Sequence, residues 1–333
     1  MKVLFIGGTG NISSAVSRFA LSQGIDLYHL NRGTGKQEIA GAKSIHADIK
    51  NAAAAANVLE GHTWDAVVDW IGFLPADVER DIALFAGKTK QYIFISSASV
   101  YQKPVTHPII TESTPLANPF WEYSRNKIAC EERLMKEYRD SGFPATIVRP
   151  SLTYDTVIPL AFGGWTDYTI IDRMKKGKPV IVPGDGTSIW QTTHADDFAK
   201  GFVPLIGHQQ TMGHAFHITT DELLTWNQYY QATAAAAGVT ANIVHIPSED
   251  ISRIAEKLGM GGIRGTLWGD KSWSVIFDNS KIKRFAPGYC ATIPFAQGIR
   301  RTLAYFEADP ARCRVNDEAN DTAAKILNEW NKH

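Results

Sequence analysis

The apolar run Val3-Leu4-Phe5-Ile6 breaks directly into Gly7-Gly8-Thr9-Gly10, and an amphipathic segment follows over 12–23. A strand that ends in glycines and restarts as a helix is the opening of a βαβ unit, and it commits the chain to a parallel sheet. The same alternation continues through the first half. Strands are expected at 26–30, 44–47, 65–70, 91–95 and 145–148, and helices at 52–59, 76–86 and 121–140.

After Arg149-Pro150 the pattern loosens, with glycine clusters at 163–164, 184–186 and 259–265 and more frequent tryptophan. The expected architecture is therefore α/β: a Rossmann-type doubly wound parallel sheet over 1–150, then a smaller C-terminal, substrate-facing lobe over 151–333. Some elements of that lobe are expected to return to the main sheet. A last amphipathic helix is expected from Thr322 to Trp330.

The loop 7–13 then acquires a chemical meaning. Gly7 and Gly10 permit a tight turn and close approach of a pyrophosphate, and the free N–H groups of the next helix face that anion. Thr9, Asn11 and Ile12 complete the loop, with Ser13 where a third glycine would favour close helix–strand packing. The expected cofactor is NAD(P). At the end of the second strand an NAD site usually carries an acidic residue, whereas Asn31 and Arg32 stand here. A guanidinium pairs with a 2′-phosphate, so the pair favours NADP. Asp48 and Ile49, after the third strand, are placed to meet the adenine.

Tyr123 and Lys127 lie four residues apart on the expected long helix, one turn apart on one face. A free tyrosine has a pKa of ~10, and a neighbouring ammonium favours its phenolate, which can then shuttle a proton. The strand ending at Ile95 runs into Ser96-Ser97-Ala98-Ser99, at the carboxyl edge where such sheets bind ligands. Ser97 is the hydroxyl expected to bond the reacting oxygen.

The ordered set resembles the extended short-chain dehydrogenase/reductase family, the NAD-dependent epimerase/dehydratase group. The matching residues are Gly7-Gly8-Thr9-Gly10, Ser97 to Tyr101, Tyr123 with Lys127, Arg149-Pro150, Gly177-Lys178-Pro179, Gly184-Asp185-Gly186, His194 to Asp197, and Asp278 with Lys281. The chain is most similar to the branch that includes chloroplast stem-loop-binding proteins. The resemblance implies hydride chemistry at a secondary alcohol or ketone by Ser97, Tyr123 and Lys127. It further implies that Pro150 and Ser151 border the nicotinamide, that Trp70-Ile71 passes under the cofactor, and that helices near 78–86 and 121–140 pair two subunits as a homodimer.

Two departures bear on the substrate. Members acting on nucleotide-diphosphate sugars often carry an asparagine where Leu152 stands, and an arginine where Trp190 stands. Losing those polar ligands leaves a diphosphate desolvated without compensation. Ser99, Leu152 and Trp190 are the residues expected to face the substrate, with Trp165 and Tyr168 forming either an apolar wall or lobe core. Acidic residues that serve dehydration after the matched serine are replaced by Ala98 and Ser99, so epimerisation or simple redox is the expected chemistry.

Composition excludes several other classes. Lys plus Arg and Asp plus Glu both number 34, so no net field draws in nucleic acid or an anionic membrane. That balance, with the complete Ser97/Tyr123/Lys127 set, argues against a non-catalytic RNA- or protein-binding member. Cys130, Cys290 and Cys313 are widely separated and suit reduced thiols. His214 and His217 have strand spacing without a third ligand, so no metal is expected. The lack of an ~18-residue apolar segment leads to an expected cytoplasmic location.

Overall fold

The computed structural model describes residues 1–34 and 38–332. Its centre is a seven-stranded sheet built from β1 (Lys2–Ile6), β2 (Asp26–Asn31), β3 (Lys43–His46), β4 (Ala66–Asp69), β5 (Tyr92–Ile95) and two later strands. Between them run α1 (Ser13–Ser22), α2 (Ala52–Val58), α3 (Pro75–Phe85) and α4 (Glu122–Ser141). The short β6 (Ile109–Ile110) lies outside the sheet, pairing with Ile276–Phe277. β7 (Ala145–Pro150) extends the sheet beside β5.

Leu152–Tyr154 is β8, followed by α5 (Thr169–Lys175), β9 (Val180–Pro183), β10 (Ile189–Trp190), β11 (Thr192–His194), α6 (Ala195–Phe202) and β12 (Ala215–Ile218). β12 joins the main sheet at its edge, giving the order β12-β7-β5-β4-β1-β2-β3 with every pairing parallel. The order reverses beside β1, and an open parallel sheet binds its ligand at that switch point, outside the carboxyl ends of the strands.

Each central strand is apolar on both faces because helices cover both. Val3, Phe5, Val68, Ile93 and Val148 pack under α1 and α6, while Leu4, Ile6, Val67, Tyr92 and Phe94 pack under α2, α3 and α4. α4 ends where Gly142 adopts φ +75°, the left-handed cap that glycine takes without steric cost. The final helix begins earlier than its apolar spacing suggested, at Asp317, because Asn316 caps it by accepting from the Ala319 amide. Its first turn is acidic and polar and so carries no apolar period.

Most of the remaining chain builds a second core around Tyr154, Trp190, Trp226, Tyr229 and Phe295. No helix among the described residues is long and apolar enough to cross a membrane.

Candidate active site

The turn after β1 is shaped by contacts that only glycine tolerates. Gly7 has φ +80°, and a Cβ there would lie 2.6 Å from Ile71 Cγ2. A Cβ on Gly8 would lie 2.3 Å from the His29 ring. Ser17 ties this knot by donating to the Gly8 carbonyl at 3.1 Å and meeting His29 Nε2 at 2.9 Å. Burial drives His29 down to about 4, so the ring is neutral where it supports the loop. The paired glycines were visible in the sequence; their partner His29, on the neighbouring strand, was not. Ser13 Oγ accepts from the Gly10 amide at 2.8 Å, so the serine fastens the loop rather than loosening it.

Beside this loop lies a cavity of about 400 Å³ lined by Gly7, Thr9, Asn31, Arg32, Asp48, Ile49, Ile71 and Phe73 among others. Asn31 Oδ1 accepts from the Gly33 amide, and Asp48 Oδ1 from the Lys50 amide, so each shapes its own turn. The first amides of α1 have no intrahelical acceptor and carry the positive end of the helix dipole. Ile12 stands at that N-terminus and packs against the core under α1.

Two expected cofactor residues are placed differently. The Asn11 side chain turns to the second lobe, donating to Thr153 O and accepting from the amides of Asp155 and Thr156. Only its backbone remains for the loop. Trp70 packs against Phe5 and Phe202, on the opposite side of the sheet, with ring centroids at 5.6 and 5.1 Å. Strand alternation accounts for this: Trp70 continues the face of Val68, so Ile71 and Phe73, not Trp70, border the cavity.

A second cavity of about 410 Å³ opens at the ends of β5 and β7. Ser97, Ser99, Tyr123, Pro150, Ser151, Leu152, Trp165 and Trp190 all line it, so two of the three expected catalytic side chains, Ser97 and Tyr123, meet the expected substrate-facing ones here. Ser99 is committed internally. Its hydroxyl meets Ser97 Oγ at 2.9 Å and accepts from Ser124 at 2.8 Å, which fixes the Ser97 side chain. Trp190 lines the cavity and also packs against Trp226 in the lobe core, the two rings tilted by 34° with centroids 5.3 Å apart. Tyr168 belongs to that core, whereas Trp165 is exposed at the cavity.

Lys127 lies behind the cavity, its ammonium donating to Gly72 O at 2.6 Å and Ile95 O at 2.7 Å. It sits 5.9 Å from the centre of the Tyr123 ring. Burial lowers Lys127 to about 8 against the opposing charge of Asp69. Burial also pushes Tyr123 up to about 12, with the Ser97 hydroxyl pulling the other way. The expected lowering of Tyr123 by the lysine is thus outweighed in the protein alone, because the lysine's bonds go to backbone carbonyls and the phenol is desolvated.

The sequence reading missed one group. A π-turn at Leu267–Lys271 brings Asp270 and Lys271 into the cavity as an ion pair at 2.5 Å, with Lys271 over the Trp190 ring at 5.1 Å. π-turns frequently mark functional sites, but a five-residue turn leaves no periodic trace in sequence. Asn118 donates to Gly269 O and Trp226 to Lys271 O, so the turn is held from two sides.

The histidines serve the scaffold. His194 caps α6 by accepting from the Asp196 amide, and His217 joins the Tyr101 hydroxyl to the Asp278 carbonyl. Among the described residues no group of three His, Cys, Asp or Glu could hold a metal ion.

A Rossmann sheet with a glycine-shaped phosphate turn and a cavity holding Ser97 and Tyr123 at its carboxyl edge defines a nucleotide-cofactor oxidoreductase. The chain belongs to the NAD dependent epimerase/dehydratase family, whose sequence model matches residues 3–219. It is 25% identical over 290 residues to a 2'-dehydrokanamycin reductase of Streptomyces kanamyceticus, covering 87% of this chain and 80% of that protein. It is 28% identical over 259 residues to the chloroplast stem-loop binding protein of 41 kDa b of Arabidopsis thaliana, covering 73% and 65% respectively. Among solved structures, a dTDP-glucose 4,6-dehydratase from Bacillus anthracis in complex with NAD superposes with a TM-score of 0.72 at 18% identity, covering 93% of this chain and 98% of that one.

Proposed function

We propose that this protein moves hydride at a secondary alcohol or ketone of a sugar-like small molecule that carries no diphosphate. The observation carrying the reading is the convergence of Ser97 and Tyr123 on one cavity that Leu152 and Trp190 also line. When bound, NAD(P) supplies the hydride acceptor or donor; Gly7, Thr9, Gly10, Ile12 and the Asn11 backbone would hold its pyrophosphate and Pro150 and Ser151 its nicotinamide end. In oxidation the carbinol carbon gives up hydride and its hydroxyl gives its proton to Tyr123; in reduction Tyr123 returns the proton to the ketone oxygen. Ser97, held by Ser99, donates to that oxygen. Lys127 would hold the nicotinamide ribose and stabilise the phenolate form of Tyr123.

The substrate class follows from charge. Among the described residues Lys271 is the cavity's only lining cation, and Asp270 already neutralises it. A dianionic diphosphate would be desolvated there against leucine and tryptophan. Aromatic walls with hydroxyls between them suit a ring bearing hydroxyl groups. A relative named for reducing 2'-dehydrokanamycin agrees with the reductive direction. Arg32 beside Asn31 favours NADP, and the outer faces of α3 and α4 are the proposed homodimer contact.

Titration of NADPH and NADH, followed by cofactor fluorescence, tests the core of this reading. Submicromolar to micromolar binding of either is expected, with Arg32→Glu weakening NADPH by on the order of tenfold or more and leaving NADH nearly unchanged. Failure of both cofactors to bind below millimolar concentration overturns it.

A further inference from the structure

Behind Lys127 lies a buried acidic group that the reaction as described does not use. Asp69, at the end of β4, and Asp81, on α3, are both fully buried. The Tyr92 hydroxyl lies between them, 2.7 Å from Asp81 Oδ2 and 3.3 Å from Asp69 Oδ2. One phenol has one proton and can donate to only one of these oxygens. The other carboxyl oxygen must therefore bring a proton of its own, or it faces a lone pair in a fully buried site. Burial favours that outcome, raising both carboxyls above the ordinary range, with the charge of Asp69 adding to the effect on Asp81.

The group is wired to the site through the turn after β4. Asp69 Oδ1 accepts from the amides of Ile71 at 2.9 Å and Gly72 at 3.0 Å. A Cβ on Gly72 would lie 2.1 Å from Asp69 Oδ2, so the turn closes on the carboxyl. The carbonyl of that same Gly72 receives the Lys127 ammonium, and Ile71 packs on Gly7 of the phosphate loop. At the other end, Arg80 donates to Asp81 Oδ1 through both Nε and Nη2, and to Asp77 through Nη1.

We propose that Asp69 and Asp81 share a single proton through the Tyr92 hydroxyl, and that this acid pair positions Lys127 and sets the pH at which it is an ammonium. The proposal rests on Lys127 being the ribose-holding lysine of the catalytic set. One negative charge then lives on the pair. On Asp69 it supports the lysine directly; on Asp81 it is compensated by Arg80 instead. Asp69 is the strongest of the ionisable groups acting on Lys127, ahead of Cys130, Glu131 and Asp77, and the Tyr123 ring faces the ammonium from the same helix at 5.9 Å.

The two carboxyls make opposite predictions. Asp69→Asn mimics the protonated acid there and confines the charge to Asp81, away from the lysine. Asp81→Asn confines it to Asp69, beside the lysine. The measurement is NADPH and NADH affinity by fluorescence across the neutral and alkaline range. Wild-type affinity should fall as pH rises through the Lys127 midpoint, and Lys127→Met should abolish that dependence. Asp69→Asn should move the midpoint down by about one pH unit and Asp81→Asn should move it up.

Midpoints that stay put, or move in the same direction, overturn the proposal, since a merely structural role has no reason to split them in sign. Infrared spectroscopy of the wild-type protein at neutral pH covers the case in which a variant fails to fold. One protonated carboxylic acid C=O band is expected, and its absence overturns the shared proton. If neither cofactor binds the wild type, the function reading fails instead. If Lys127→Met leaves the pH dependence intact, the lysine assignment fails, and the positioning role with it.

Discussion

The carboxamide of Asn11 donates to the carbonyl oxygen of Thr153 at 2.8 Å, joining positions 142 residues apart in the chain. Its oxygen accepts from the amides of Asp155 and Thr156 at 3.0 Å each. One side chain thus fastens the glycine turn after β1 to Thr153 of β8 and to the two residues that follow the strand, next to the Leu152 wall of the cavity that holds Ser97 and Tyr123.

Replacing that side chain should loosen the two parts of the site together. Asn11→Ala removes three hydrogen bonds and leaves two amides seeking new partners, a loss of about 2–3 kcal/mol. The urea midpoint of unfolding should fall accordingly, with little change in slope. An unchanged midpoint would mean that water replaces the carboxamide fully.

The phosphate loop has no room for a methyl group at its second glycine. Gly8→Ala would set a Cβ 2.3 Å from His29 Nε2. Either the loop or the imidazole must move, at a cost of roughly 1–3 kcal/mol. Cofactor affinity, read by fluorescence titration, should fall with stability, because the displaced backbone is the surface proposed to meet the pyrophosphate.

His29 makes the fold sensitive to acid. Its pKa is about 4 in the folded protein against 6.5 for the free side chain. A depressed histidine means that the unfolded chain binds more protons between those values, so stability falls as pH drops from about 6.5 to 4. Allowing for partial burial, the loss is roughly 2–3 kcal/mol. His29→Gln should flatten that part of the stability–pH curve, measured as denaturant midpoints at each pH.

Lys127 acts in the alkaline range by the same rule. Burial holds it near 8 against 10.5 when free, so folding must bury an ammonium below pH 8 and is relieved of that cost as pH rises toward 10.5. The stability of the wild type relative to Lys127→Met should therefore increase between about pH 8 and 10. A flat difference across that window would place the ammonium in a solvated environment.

Tyr123→Phe separates binding from chemistry. The variant keeps the ring that lines the cavity and loses only the hydroxyl, so cofactor binding should persist. Turnover of any ketone or secondary alcohol that the wild type accepts should fall by a factor on the order of 10²–10⁴. Unchanged turnover would remove the tyrosine from its role.

Much of the architecture was legible in advance because α/β alternation writes itself into local pattern. The strands of the main sheet as far as β7 and the helices between them sit within a residue or two of their expected bounds, since the central strands β1, β4 and β5 are continuous apolar runs and the helices between them carry a 3.6-residue period. Ser97 and Tyr123 could be nominated because their motifs sit at fixed places relative to strand ends. The Trp70 side chain lies away from the expected cavity for a local reason: the face that a residue takes at a strand's end depends on where the pleat stops. The Asn11 side chain does so for a distant one, since its partners lie across the molecule.

The sequence alone determined the class of sheet, the glycine turn that follows its first strand, and the spacing that sets Tyr123 and Lys127 one helical turn apart. These depend on residue type and short-range spacing, which periodicity and backbone sterics constrain directly. Tertiary structure alone decided that Asp270 and Lys271 enter the cavity and that Asn11 serves as a clamp. It also decided that Asp69, Tyr92 and Asp81 meet behind Lys127. Those relations join strands, helices and turns far apart in the chain, and only the packed sheet brings their polar groups out of water and within bonding distance of one another.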